Sequence, residues 1–361
     1  MSRIRVAILG TSFGRLVQAV GFQRHPGFEL VAIADSDTAK TGRLAAELGI
    51  PHGFGDWRKL LDQVACELVS VVTPVDLHHP MVMAALTSGR HVLCEKPAAM
   101  HRFQAAEMRD TAKRLGRVAG MNHEFRFLPA RRTAVEMVRA GAIGVPRRVE
   151  ILGRYPIWNR PESRGMTWLS DARRGGGILG ALASHHSDCV RTLLGEPRAV
   201  TASLRVSQPS RGPTAAQPEP ATATADDACT LLIECGASAT ALIDLDATAP
   251  YRWERYEVHG SEGSLRWDDG GVALWRITPG REPEAVAIPA GFALAPREGD
   301  PQLIAPFGVI AQRLHDAIGG GPAMEPSLDD AVAVQSILDA ARESSVAGTR
   351  IAVEAPSPAG V

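Results

Sequence analysis

RVAILGTSFGRLVQAVGFQRHPGFELVAIAD, residues 5–35, decides the fold. Arg5 to Leu9 is a short apolar run of the kind that forms a strand buried on both faces. It stops at a turn framed by Gly10 and Gly14. Leu16, Val17, Val20 and Phe22 then recur at helical spacing until His25-Pro26-Gly27 ends the helix. Leu30 to Ala34 is a second apolar strand, ending at Asp35. Strand, glycine turn, helix and strand within this stretch read as one right-handed βαβ unit, the element of a parallel sheet.

The same alternation continues outward. Helical patterns are expected over Thr38–Leu48, a short segment from Asp56 to Val64, Met81–Leu86 and Phe103–Leu115. Strands are expected at Leu68–Val72, His91–Cys94 and Arg117–Met121. Short apolar strands alternating with helices predict a doubly wound parallel sheet. After about residue 125 the pattern changes. A helix over Phe127–Ala140 is followed by alternating segments at Arg148–Arg154, Cys229–Glu234, Thr240–Asp246, Arg255–His259 and Val272–Ile277. Gly260-Ser-Glu-Gly263 reads as a hairpin turn, and the whole as an antiparallel sheet interrupted by a helix over Ala181–Leu194. Ser207–Thr224, rich in Pro, Ala, Ser and Thr, reads as a mobile loop. Helices resume at Ala305–Ile318 and Asp329–Ser345.

Composition narrows the function classes. The 361 residues allow two or three domains, and a net charge of −1 gives no basic footprint for nucleic acid and no attraction to an anionic membrane. The five cysteines form no CxxC pair, their number is odd and the chain is long, which together exclude a disulfide scaffold and disfavour a cysteine-rich zinc module. No segment reads as a signal peptide or a membrane span, so a cytoplasmic protein is expected. Of 39 basic residues only Lys40, Lys59, Lys96 and Lys113 are lysines. A lysine in an unusual setting therefore stands out, because lysine can be tuned to lose its proton and arginine cannot.

Three clusters carry candidate chemistry. The Gly10–Gly14 turn stands where a dinucleotide's pyrophosphate would meet a helix N-terminus, and Asp35 stands where a carboxylate would accept from a ribose. An ordinary strand–helix turn is the bland alternative. Glu95-Lys96-Pro97 ends a strand and so points into the ligand crevice of a parallel sheet; the bland alternative is a surface Glu–Lys pair before a turn proline. Gly175-Gly-Gly177 precedes a helix bearing Ser184, His185, His186 and Asp188. His185 suits proton transfer near neutral pH, or packs against the sheet. Cys94, His185, His186 and Cys189 have no recognised ligand spacing, so no metal is expected.

With these residues in view the chain resembles the Gfo/Idh/MocA family of NAD(P)-dependent oxidoreductases along nearly its whole length. The resemblance is carried by Val72-Thr-Pro74 with Leu77-His78, by His91-Val-Leu-Cys-Glu95-Lys96-Pro97 and by Phe125-Arg-Phe127. Gly175–Gly177 through Ser184-His-His-Ser-Asp188 and Pro326-Ser-Leu-Asp-Asp-Ala331 complete it. It implies a Rossmann domain over 1–123 and an α+β substrate and oligomerisation domain on an open, mainly antiparallel sheet over 124–361, with the last helices able to return to the first domain. It implies a nicotinamide dinucleotide over Gly10, Ser12, Phe13 and Gly14, with Asp35 on the ribose and Thr73, Pro74, His78, Glu95 and Lys96 on the nicotinamide side, and the charge of Asp35, which would repel a 2′-phosphate, favours NAD over NADP. Lys96, Arg126, His185 and Asp188 would face substrate, with Lys96 and His185 catalytic. The family's glycine fingerprint is broken at Ser12 and Arg15, and Ala181 replaces the aspartate that many members carry four residues before the histidine.

The expected activity is interconversion of a secondary alcohol and a ketone on a sugar, inositol or similar polyol, by a homodimer or homotetramer joined through the second sheet. Two alternatives stand beside it: an NAD-dependent glycoside hydrolase of the same family, and a non-catalytic nucleotide-binding protein.

Overall fold

In the computed structural model, residues 3–160, 165–213, 218–268, 272–292 and 299–354 are described. The chain divides into two units. One comprises Met1–Glu124 with Ala295–Val332, the other Phe125–Leu294 with Ala333–Ala355.

The first unit holds a six-stranded sheet of β1 (Ile4–Leu9), β2 (Phe28–Ala34), β3 (His52–Phe54), β4 (Leu68–Val71), β5 (His91–Cys94) and β6 (Ala119–Met121). All neighbours pair in parallel, in the order β3-β2-β1-β4-β5-β6. The order reverses between β1 and β4, the switch point at which such sheets bind ligands. Val6 to Leu9 are fully buried, as an apolar run covered on both faces must be. The crossovers are α1 (Val20–Arg24), α2 (Thr38–Leu48), α3 (Trp57–Gln63), α4 (His78–Thr87) and α5 (Arg102–Arg114). Asp37 caps α2 by accepting from the Lys40 N–H, and Asp56 caps α3 by accepting from that of Arg58. Strand β3 is absent from the sequence reading because three residues, His52-Gly53-Phe54, carry no periodicity. A π-helical turn over Gly14–Ala19 precedes α1, so the first helix is not regular along its length.

The second unit starts with α6 (Pro129–Arg139), β7 (Pro146–Pro156), α7 (Ser184–Leu194) and β8 (Pro197–Arg205). A short ribbon of β9 (Ser210–Arg211) and β10 (Ala221–Thr222) follows, then β11 (Ala228–Cys235), β12 (Ala239–Asp246), β13 (Thr248–Gly260), β14 (Ser264–Asp268), β15 (Leu274–Ile277) and β16 (Glu284–Ala285). Helix α8 (Ile304–Ile318) belongs to the first unit, α9 (Leu328–Ala347) passes from the first into the second, and β17 (Ile351–Ala352) closes the second. The nine-stranded sheet runs β16-β15-β14-β13-β7-β12-β11-β8-β17. It is antiparallel except where β12 lies parallel to β7, so the sheet is mixed rather than antiparallel throughout. The expected hairpin at residues 260–263 leads into β14, a strand the sequence reading passed over, as it did β8. The segment expected to be a mobile loop contains the β9–β10 ribbon, and Asp227 accepts the Ser207 and Gln208 N–H groups at its base; residues 214–217 lie outside the described residues, as do residues 355–361 of the expected second domain. One face of the sheet packs under α7 and α9 in a core that includes Val190, Leu193, Ile337 and Leu338.

Candidate active site

The first unit builds a nucleotide cradle from its glycine turn. Gly10 has φ +114°, and a Cβ there would lie 2.1 Å from the Val72 carbonyl oxygen, so only glycine lets β1 turn so close to the end of β4. Gly14 opens the next helical turn and is buried, while Ser12 is exposed on the rim. This cradle fits a dinucleotide despite Ser12 and Arg15, because neither position needs the left-handed backbone that Gly10 adopts. Asp35 ends β2 beside it. Its carboxylate accepts from Thr11 Oγ1, from the Ser36 N–H at 2.6 Å and from Lys40 Nζ at 3.0 Å. Burial pushes the Asp35 carboxyl up, but these donors outweigh it and hold it below the ordinary value. Lys40 is a cation beside Asp35 whose placement sequence reading missed: it lies in the first turn of α2, outside any nucleotide motif.

Glu95 and Lys96 follow β5, at the carboxyl end of the sheet. Glu95 is not a surface residue, being only 7% exposed. Its Oε1 accepts from Gln18 Nε2 at 2.8 Å and Asn122 Nδ2 at 2.6 Å, and its Oε2 from the Lys96 N–H at 3.2 Å. Ser70 Oγ donates to Gln18 Oε1 at 2.5 Å and fixes that amide. Burial raises the Glu95 pKa, while Lys96 and the amide donors pull it back. Gln18 and Asn122 escaped sequence reading; the only trace was a polar glutamine on the apolar face of the first helix.

His78 braces this corner. Fully buried in α4, it places Nδ1 2.9 Å from the Pro97 carbonyl and Nε2 2.8 Å from that of Thr73, so one ring ties the turn after β4 to the turn after β5. Burial lowers its pKa despite the two carbonyls. Thr73 Oγ1 lies 3.5 Å from Met81 Sδ, and Thr73 and Pro74 remain partly exposed at the strand end.

The second unit carries the histidine helix. Gly177 has φ +108°, and a Cβ there would stand 2.2 Å from Asp226 Oδ1. Asp226 accepts the Leu179 N–H at 2.8 Å, at the start of a π-helical turn over Leu179–Ala183 that leads into α7. The helical path from Ala181 to His185 therefore begins in a π turn and continues as regular α-helix. Asp188 is buried and paired bidentately with Arg126, Nε to Oδ2 at 2.8 Å and Nη2 to Oδ1 at 2.5 Å, with Arg191 Nη1 at 3.9 Å. Arg126 and Asp188 are thus brought together as a pair. His185 is 2% exposed and stacks on Phe125, ring centroids 3.9 Å apart and planes 6° from parallel. Burial, reinforced by the Arg131 charge, pushes the pKa of neighbouring His186 well below its ordinary value, which leaves it neutral and unsuited to carry a proton near pH 7. Among the described residues no group of three or more His, Cys, Asp or Glu side chains is arranged to hold a metal, and no helix is long and apolar enough to cross a membrane.

Two predictions arise here. Burial raises the Asp226 carboxyl from 3.8 to about 6. The folded chain therefore holds that proton more tightly than the unfolded chain. The stability it contributes is full below pH 3.8 and is lost as pH rises through about 6. A displacement of that size amounts to about 3 kcal/mol. Asp226→Asn keeps an acceptor for Leu179 and should remove this loss; urea unfolding of both proteins from pH 4 to pH 7 measures the difference. The second concerns cofactor choice. NADH should bind more tightly than NADPH, because Asp35 repels a 2′-phosphate, and Asp35→Ser should narrow the gap by about 1 kcal/mol. Lys40→Met should widen it, since Lys40 offsets part of the Asp35 charge. Fluorescence titration of both cofactors checks each shift; equal affinities in the wild type contradict the reading.

Comparison with known proteins agrees with this geometry. Residues 4–123 match the model of the oxidoreductase family with an NAD-binding Rossmann fold, and residues 131–266 match the GFO/IDH/MocA C-terminal domain. Levoglucosan dehydrogenase of Pseudarthrobacter phenanthrenivorans is 27% identical over 95% of this chain and 96% of its own. D-glucoside 3-dehydrogenase of Escherichia coli is 32% identical over 54% of this chain and 55% of its own. Among solved structures, levoglucosan dehydrogenase in complex with NADH superposes with a TM-score of 0.88 at 25% identity, over 98% of this chain and all of that one. An oxidoreductase domain protein from Kribbella flavida reaches 0.89 at 25% identity over the same shares. The chain belongs to the Gfo/Idh/MocA family of oxidoreductases, and its first domain is the NAD-binding Rossmann domain of that family.

Proposed function

We propose that this protein interconverts a secondary alcohol and a ketone on a sugar or similar polyol, using NAD. The observation that carries the reading is the Glu95–Lys96 corner: a buried carboxylate held by Gln18 and Asn122, followed directly by a lysine at the carboxyl end of a parallel sheet. The sugar-acting relatives support the substrate class. NAD, when bound, supplies the hydride acceptor or donor. The chain's own residues bind, orient and manage the proton. The Gly10–Gly14 turn and Asp35 hold the dinucleotide. Thr73, Pro74 and His78 shape the strand ends, and His78 keeps the two turns in register. The Lys96 ammonium stabilises negative charge as it develops on the substrate oxygen, and Glu95 keeps a compensating charge at its base. His185 exchanges the proton, and the Arg126–Asp188 pair holds the wall beside it.

On this reading residues 1–123 form the cofactor domain and 124–361 the substrate domain, in a cytoplasmic homodimer or homotetramer joined through the open face of the second sheet. Light scattering coupled to size exclusion tests the assembly. Activity is tested by NADH formation from NAD+ with levoglucosan, D-apiose, D-glucosides and a set of polyols, together with NADH consumption on 1,5-anhydro-D-fructose and ketoses. One substrate class giving turnover supports the proposal. Release of a free sugar from a glycoside with no net NADH would replace it with the glycosidase alternative.

A further inference from the structure

We infer that Phe125 is a positioning residue that holds the plane of the His185 imidazole, with Arg131 fixing both from behind. The inference rests on the proposed acid–base role of His185 and deepens it.

The two rings stack face to face, 3.9 Å between centroids and 6° between planes. A histidine side chain aims its nitrogens by rotation about the Cβ–Cγ bond, a broad and weakly restrained torsion. A parallel ring at van der Waals distance blocks that rotation, because turning the imidazole drives its edge into the Phe125 face. Proton transfer depends on aim, so the stack defines where the His185 N–H and lone pair point.

Arg131, on α6, completes the arrangement. It is 1% exposed, and among the described residues it makes no ion pair. Its guanidinium carbon lies 5.7 Å from the Phe125 ring centroid and 5.1 Å from that of Tyr256. Its Nη1 donates to the His185 carbonyl at 3.3 Å, and Nε and Nη2 have no hydrogen-bond partner. One buried side chain therefore touches the backbone of the acid–base residue and the ring that stacks on its side chain. Tyr256 backs Arg131 and is itself stacked on Trp267, with centroids 5.3 Å apart, and its hydroxyl donates to Glu254 at 3.1 Å. The platform is thus anchored in β13 and β14 of the sheet rather than in a loop.

The test uses the full-length protein labelled with 13C at histidine, the His185 resonance being assigned by its loss in His185→Ala. A ring proton held over an aromatic face is shifted upfield. The wild-type His185 resonance should lie upfield, Phe125→Leu should return it to the ordinary range, and Phe125→Tyr should keep it displaced. On the sugar that the substrate panel identifies, Phe125→Leu should lower kcat about 10-fold with KM and NADH affinity little changed, while Phe125→Tyr restores the rate. In a His185→Ala background, Phe125→Leu should have no further effect on kcat. An unshifted wild-type resonance, or the same kcat loss with and without His185, overturns the inference. A wild-type rate in His185→Ala alone overturns the acid–base reading instead, and the resonance position still decides whether Phe125 holds the ring.

Discussion

Lys96→Met is expected to remove about 10²–10³-fold in kcat while NADH binding stays nearly intact. The methionine keeps the length and apolar stem of the lysine and deletes only the ammonium. What is lost is the charge beside the substrate oxygen, and that charge is needed more in the transition state than in the ground state. Lys96→Arg should also be poor. A planar fork cannot occupy the point that the ammonium occupies, and the turn leaves little latitude, since Glu95 on one side is locked by Gln18 and Asn122 and Pro97 on the other accepts from or faces His78. Steady-state kinetics with a parallel NADH titration separates the two effects. Near-normal turnover in both variants would make the lysine structural.

His185→Ala is expected to cost about 10²–10⁴-fold in kcat, the usual worth of a general acid or base, with cofactor affinity little changed. His186 cannot take over, because it is buried beside Arg131 and stays neutral. Ala181→Asp, at the position where many family members carry an acid, should change the pH profile or the substrate preference, because it adds a charge four residues before His185. The profile of kcat against pH for the wild type and both variants reads all three effects.

These expectations show what the sequence made legible. Five of the six strands of the parallel sheet could be read from apolar runs such as Val6–Leu9 and Leu68–Val71, because burial on both faces leaves a continuous hydrophobic signature, while the three-residue β3 could not. The second sheet was legible where strands alternate, as in β11 and β12, and less so in β8, whose exposed half is polar and whose partners are distant in sequence. The parallel β7–β12 pairing could not be seen, because strand direction depends on the path of the chain between residues 156 and 239. At the site, Lys96 and Glu95 stood out as a strand-end pair. Gln18, Asn122 and Lys40 did not, because each acts through a contact between elements that periodicity does not encode. The π-helical turns before α1 and α7 were invisible for a related reason: an inserted residue in a helix changes its phase, and the apolar spacing alone does not reveal where.

The most direct test of the account is a single-turnover experiment with enzyme in excess over the sugar found in the panel, following NADH absorbance and product together. The account predicts one NADH formed per ketone in the wild type, and a strongly slowed burst of the same stoichiometry in both Lys96→Met and His185→Ala. Product released without net NADH, or a burst unchanged in both variants, would contradict it.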